Sequence, residues 1–99
     1  MIHVIAIITA KPGKRDELIA AMKANVPAVR AEQGCIEYGP AIDATRTPAK
    51  MGPDTVVVIE KWADEAALAA HAASPHMAAY GAKTKDIVAD RKIHILQNA

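Results

Sequence analysis

The sequence predicts an α+β fold of the ferredoxin-like type, in which one domain spans residues 1–99 and has the element order β-α-β-β-α-β. The first observation behind this prediction is the composition, because 99 residues with 52% hydrophobic and 23% charged side chains are typical of one small globular domain. The second is the order in which strand-type and helix-type apolar patterns follow one another along the chain.

The chain begins with a predicted strand over Met1–Ala10. Both the even and the odd positions of MIHVIAIITA are largely apolar, so we expect both faces of this strand to be covered. A Lys-Pro-Gly turn follows, and from Lys14 to about Ala31 apolar residues recur at spacings of three and four, which predicts a helix. Pro27 lies inside this segment and predicts a kink or the end of the regular helix.

The middle of the chain predicts two strands and a long loop. Gly34 suits the left-handed position that ends a helix, and Cys35–Asp43 follows as the second strand. Its Gly-Pro pair at 39–40 indicates a bulge or an edge position. Ala44–Pro53 is rich in proline and polar residues, which predicts an exposed loop, and the β-branched run in Thr55–Trp62 predicts the third strand.

The last third of the chain predicts a two-part helical region and a final strand. Asp64 is a suitable N-cap for the first part. Ser74 and Pro75 restart the helix, since serine caps helices and proline suits the first helical position. The segment Asp90–Gln97 then predicts the fourth strand.

These elements form one four-stranded antiparallel sheet with the helices on one face, which leaves an apolar second face. The core builders are few, because the chain has no Phe, one Trp and two Tyr. We therefore expect a homodimer in which two such faces stack back to back and close a dimeric α+β barrel.

Charge and hydropathy exclude several classes of partner. Twelve basic against eleven acidic residues give a net charge of +1, which argues against nucleic-acid binding. No apolar stretch approaches the roughly 20 residues that span a bilayer, so no membrane association is expected. A lone cysteine, Cys35, and a start without signal-peptide features predict a reducing, cytoplasmic location.

The candidate functional residues are concentrated in the segment 60–81. A carboxylate, imidazoles and aromatic rings near one strand–helix junction are able to line a pocket for a flat aromatic ligand. From the residues alone a structural interpretation stays open for each, as a core side chain, a hydrogen-bonded histidine or a surface ion pair. The candidates are Glu60, Trp62, His71, His76, Met77 and Tyr80.

Metal and nucleotide cofactors are not expected. His71 and His76 are five residues apart across a proline break, which does not place two ligands on one helix at i and i+4. Cys35 has no second cysteine at metal-ligand spacing, and the chain has no glycine-rich dinucleotide fingerprint.

Three segments carry a resemblance to a known family: VIAIITAKPGKRDEL, EQGCIEYGPAID and VVVIEKWADEAALAAHAASPHMAAY, with IHILQ at the end. They resemble the antibiotic biosynthesis monooxygenase superfamily and, within it, the bacterial quinol monooxygenase-like group. The likeness covers nearly the whole chain apart from the loop 44–53. Its most specific element is the spacing from Glu60 and Trp62 through His71 to the Ser-Pro-His-Met run at 74–77.

The resemblance implies a dimeric α+β barrel that oxidises a quinol or polyphenol with O₂ and uses no flavin, haem or metal. Carried over residue by residue, it makes Trp62, His71, His76 and Tyr80 candidate pocket residues, together with Glu60 and Tyr38. The family's haem-degrading branch has an axial histidine where this chain has Gly81, and a tryptophan where it has His71. Both departures argue against haem.

An imidazole suits the chemistry, because its ordinary pKa of about 6.5 lets it accept a proton from a quinol near neutrality. We expect His71 to act as the base or to orient the anion, with His76 or Tyr80 as a hydrogen-bond partner and Trp62 as a flat wall. The alternatives are a non-catalytic small-molecule-binding or stress-associated dimeric protein, and an isomerase or lyase on the same scaffold.

Overall fold

A computed structural model describes all 99 residues and has the predicted ferredoxin-like architecture. The strands pair antiparallel throughout, in the order β2-β3-β1-β4, so β2 and β4 are the two edges. None of the three helices has the length and apolar character of a membrane-spanning segment. The elements are β1 (Ile2–Ala10), α1 (Arg15–Arg30), β2 (Cys35–Ala41), β3 (Thr55–Trp62), α2 (Glu65–Ala72), α3 (Pro75–Thr84) and β4 (Val88–Gln97).

The first helix continues past its internal proline. Of the two alternatives that we predicted at Pro27, a kink or the end of the regular helix, the end is wrong, because α1 runs on to Arg30. Proline lacks the N–H that would bond the carbonyl four residues earlier, so the helix loses one backbone hydrogen bond in its last turns. The carbonyl of Pro27 still accepts a hydrogen bond from the N–H of Ala31 at 3.1 Å.

The second strand is an edge strand, which was one of the two alternatives that its Gly-Pro pair predicted, and the pair itself keeps regular register with β3. The strand's pairing with β3 shifts register between Cys35 and Glu37. It ends at Ala41, two residues before the predicted end, because Asp43 turns to the following loop. The carboxylate of Asp43 accepts hydrogen bonds from the backbone N–H groups of Met51 at 2.9 Å and Gly52 at 3.0 Å.

The two faces of the sheet differ in what covers them. The even-numbered residues of β1 are buried beneath the helices and form the centre of the core. The odd-numbered residues are half-buried on the opposite face, which no element of the chain covers. We call this opposite surface the open face. Its apolar side chains include Ile5, Ile7, Val57, Ile59 and Leu96.

A glycine fixes how the turn after α1 meets α2. Gly34 has a φ of +84°, which side chains other than glycine rarely adopt. A Cβ atom at this position would lie 2.6 Å from the Cβ of Ala67, so glycine also permits the close approach. The turn that contains Glu32 is therefore held directly against α2.

The caps of the two short helices have different roles. The carboxylate of Asp64 accepts a hydrogen bond from the N–H of Ala67 at 2.8 Å, so it is the N-cap of α2 as predicted. Ser74 occupies the N-cap position of α3, but its hydroxyl makes no capping bond there and instead donates to the carbonyl of His71 at 2.7 Å. The break between α2 and α3 is thereby tied to the end of α2.

Candidate active site

A cavity of about 590 Å³ lies between the helix-facing side of the sheet and the short helices α2 and α3. Its helical wall is made largely of small residues, among them Ala72, Ala78 and Gly81, which fill little of the space above the sheet. Most of its lining is apolar. The polar and charged side chains on its wall are Tyr38, Glu60, His71, Tyr80, Thr84, Lys85 and Arg91.

His71 is the buried titratable group at one end of this cavity, and only 4% of it is exposed. Its Nδ1 lies 2.7 Å from Oε2 of Glu32, and its Nε2 lies 4.0 Å from Oε1 of Glu60. The imidazole therefore stands between two carboxylates, each on a different ring nitrogen. Its ring is also packed between aromatic neighbours, with centroids 4.6 Å from Trp62 and 5.5 Å from Tyr38.

The contact with Glu32 selects one tautomer of His71. An ionised carboxylate only accepts hydrogen bonds, so the 2.7 Å contact places the proton on Nδ1. In the neutral ring, Nε2 then carries the lone pair. The nitrogen that can accept a proton is thus the one on the side of Glu60, which is itself part of the cavity wall.

Glu60 is a buried carboxyl whose pKa is raised, first because burial disfavours its charge and also because the charge of Glu32 repels it. Two neighbours act in the opposite direction. The indole N–H of Trp62 donates to Oε1 at 2.9 Å, and His71 lowers the pKa electrostatically.

Two tyrosines on the cavity wall keep their protons at neutral pH. Burial is the main cause that raises the pKa of Tyr38 and that of Tyr80 above the usual tyrosine value. Each phenol is therefore available as a hydrogen-bond donor to a ligand.

His76 and His71 converge on one carboxylate oxygen, which the spacing argument did not anticipate. Nε2 of His76 lies 2.9 Å from Oε2 of Glu32 and 3.2 Å from Oγ of Ser74. The sequence argument against a shared ligand assumed one helix, but the break at Ser74 ends α2 and starts α3 in a new position. The proline break brings the two imidazoles together instead of separating them.

Glu32 is a site residue that is absent from the candidates named from the sequence, since it lies just before Gly34, where only the end of the first helix was predicted. It is 39 positions away from His71 in the chain, and no local pattern connects the two. The one sequence feature that could have pointed to Glu32 was its position as a carboxylate in a glycine-containing turn.

Trp62 does not form the flat cavity wall that we expected. It is fully buried, with 0% exposure, and lies in the core behind Glu60 and His71. Strand parity did place it on the same face as Glu60, but the cavity ends before it. Its indole holds the Glu60 carboxylate by a hydrogen bond and supports the His71 ring by packing.

The predicted site residues therefore fall into two sets. One set lines the cavity and is able to touch a ligand there, and the other set lies behind its wall and contacts the first set or Glu32. The cavity-lining residues are Tyr38, Glu60, His71, Met77 and Tyr80. The supporting residues are Trp62 and His76.

Comparisons with known proteins agree with the fold. The chain is 39% identical over 101 residues to the protein named "Probable quinol monooxygenase YgiN" of Escherichia coli K12, and the match covers 98% of this chain and 97% of that protein. The crystal structure of PA3566 from Pseudomonas aeruginosa superposes with a TM-score of 0.84 at 30% identity, covering 99% of this chain and 93% of PA3566.

Rv0793 from Mycobacterium tuberculosis gives a TM-score of 0.83 at 26% identity, and the match covers 99% of this chain and 94% of Rv0793. The family model described as "Antibiotic biosynthesis monooxygenase" matches residues 1–83, which include every element before α3 and all of α3 except its last residue. These matches confirm the resemblance seen in the sequence, and the chain belongs to the antibiotic biosynthesis monooxygenase family.

Proposed function

We propose that this protein is a monooxygenase that oxidises a quinol or polyphenolic aromatic substrate with O₂ and requires no flavin, haem or metal. The observation that supports it most is the placement of His71, whose Nδ1 is held by Glu32 while Nε2 is left as a proton acceptor on the cavity side. The name of the YgiN relative points to the same substrate class.

The reaction needs a base because ground-state O₂ is a triplet and reacts slowly with molecules whose electrons are paired. Once a quinol hydroxyl has lost its proton, the anion donates one electron to O₂, and the resulting radical pair recombines. Recombination forms a C–O bond and gives a ring hydroperoxide, whose O–O bond then breaks with loss of water. The quinol itself supplies all four electrons and the two hydrogens of that water, so the ring ends as a hydroxyquinone. The protein's part is to take the proton and to hold the anion next to O₂ in a cavity with little water.

Each residue of the site has a separate role in this proposal. Nε2 of His71 accepts the quinol proton, and the nearby Glu60 carboxylate stabilises the imidazolium that forms. Glu32 fixes the tautomer of His71, and His76 fixes Glu32, so both act as positioning residues. The tyrosine hydroxyls are placed to donate to the substrate oxygens, and Met77 provides apolar contact.

The proposal includes a homodimer that pairs through the open face, because this apolar surface is otherwise left to solvent. It also includes a cytoplasmic location, for which the unpaired thiol of Cys35 is the support.

The direct test is oxygen consumption. Metal-stripped protein is mixed with a menadiol-type quinol in an oxygen electrode, and the rate is compared with spontaneous autoxidation. We expect uptake above the spontaneous rate and product that contains one atom from labelled O₂. Stoichiometric binding of the quinol without oxygen uptake above the spontaneous rate would favour a non-catalytic binding protein. Product formation without O₂ would favour an isomerase or lyase. A new visible absorbance on adding haem would support the haem-degrading branch.

A further inference from the structure

We propose that Glu32, His71 and His76 form a binding site for a first-row divalent cation, with Zn²⁺ as the best fit. Each residue offers one ligand atom, namely a carboxylate oxygen and two imidazole nitrogens, and all three atoms lie within 4.8 Å of one another. Two histidines and one glutamate are a ligand set that zinc uses where a fourth position stays open for water or another ligand.

The three ligands come from separate parts of the fold and are already directed at one point. Glu32 is in the turn after α1, His71 in the last turn of α2 and His76 in the first turn of α3. The carboxylate oxygen is 2.7 Å and 2.9 Å from the two nitrogens. Tetrahedral zinc with bonds near 2.0–2.1 Å separates its ligands by about 3.3 Å, so each of these two oxygen–nitrogen distances has to lengthen by about half an ångström, and the two nitrogens, which lie within 4.8 Å of each other, have to take up the same spacing.

The surroundings of His71 fit a metal ligand as well. Ligating histidines commonly direct their other ring nitrogen at a carboxylate, which fixes the ring and strengthens it as a ligand. Here Nε2 of His71 lies 4.0 Å from the Glu60 carboxylate, which is beyond hydrogen-bond length but within the range of an ion pair, and the indole of Trp62 fixes that carboxylate. The His76 side chain is 29% exposed, which gives an ion a path from solvent.

Metal binding changes which nitrogen of His71 carries the proton. Coordination at Nδ1 displaces the proton now held against Glu32, and the neutral ring then carries its proton on Nε2. The ring would change from a proton acceptor to a proton donor on the cavity side. This consequence, that zinc inhibits quinol oxidation, rests on the proposed function, whereas the binding itself does not.

The test is calorimetric titration of metal-stripped full-length protein with ZnCl₂. We expect one ion to bind per chain. Co²⁺ in place of zinc should give the visible absorption of a low-coordinate site. His76→Gln and Glu32→Gln should each weaken zinc binding by at least about tenfold, and His94→Gln, on the open face, should not.

The proposal fails if no ion binds at micromolar concentration, or if His76→Gln binds as tightly as the unmodified protein. It also fails if His94→Gln removes the binding, since the ion would then sit on the open face. If zinc binds as expected but the protein shows no oxygen uptake, the metal site stands and the proposed function falls. If uptake occurs and zinc neither binds nor inhibits, only the metal site is overturned.

Discussion

Oε2 of Glu32 lies 2.7 Å from Nδ1 of His71, although the two residues are 39 positions apart in the chain. The contact joins the turn after α1 to the last turn of α2, and His76 bonds to the same oxygen from α3. Because Glu32 does not line the cavity, it acts on a ligand only through the imidazole that it holds. Substitutions can therefore distinguish a residue that positions His71 from one that contacts the substrate.

Glu32→Gln should lower kcat for quinol oxidation by at least about tenfold while KM stays nearly unchanged. The amide can present an N–H to Nδ1 and so favour the wrong tautomer of His71. Steady-state oxygen uptake measures both constants. Glu65→Gln, an exposed residue in the first turn of α2, is the matched control and should leave both unchanged. A raised KM with unchanged kcat would contradict the positioning role.

Trp62→Phe should destabilise the protein by about 1–3 kcal/mol, because it removes the donor to a buried carboxyl and leaves a smaller ring in the core. Equilibrium unfolding in urea measures the free energy. Tyr80→Phe is the comparison, since it removes one hydroxyl at the cavity wall and should cost less. Equal costs for the two variants would contradict the supporting role of Trp62 in the core.

Asp43 should stabilise the protein near neutrality and lose that contribution in acid. Hydrogen bonds first from the N–H of Met51 and then from that of Gly52 lower the pKa of Asp43 below its usual value. A carboxyl whose folded pKa is depressed stabilises the fold above its unfolded pKa of about 3.9, and this contribution disappears as the pH falls through the folded pKa.

The stability difference between the unmodified protein and Asp43→Asn should therefore be present near neutrality and shrink below about pH 3.9. Urea unfolding at several pH values measures it. A difference that is the same in acid and near neutrality would mean that the charge of Asp43 does not hold the loop.

Ile59→Glu should convert a dimer into monomers, because it places a charge in the centre of the proposed interface. Ile59 lies on the open face, and 38% of it is exposed in the single chain. Sedimentation velocity measures the state, and Ile42→Glu, at an exposed position outside the sheet, is the control. A stable, well-folded monomer of the unmodified protein at micromolar concentration would contradict the interface.

Much of the fold was predictable because it depends on local patterns. The β-branched run gave the bounds of β3 correctly, and strand parity placed Glu60 and Trp62 on one face. The N-cap at Asp64 was also found, since a side chain that caps a helix is three residues from its partner. The edge position of β2 followed from Pro40, which cannot donate a ladder bond.

The site was less predictable because its contacts are tertiary. Glu32 reaches His71 only because Gly34 lets the turn approach α2, and nothing in a single segment reports that approach. The spacing of His71 and His76 was misleading for the same reason, since α2 ends and α3 begins between them. The alternation of strand residues between the two faces also could not show that the cavity ends before Trp62. The extent of the cavity depends on how much of the sheet the small residues of α2 and α3 leave uncovered.

The most direct test of the account is oxygen uptake by His71→Ala with a menadiol-type quinol, measured beside the unmodified protein. Circular dichroism and urea unfolding first establish that the variant is folded. The account predicts a rate lower by roughly 10²–10⁴, the contribution of one well-placed proton acceptor. A folded His71→Ala that consumes oxygen as fast as the unmodified protein would contradict it.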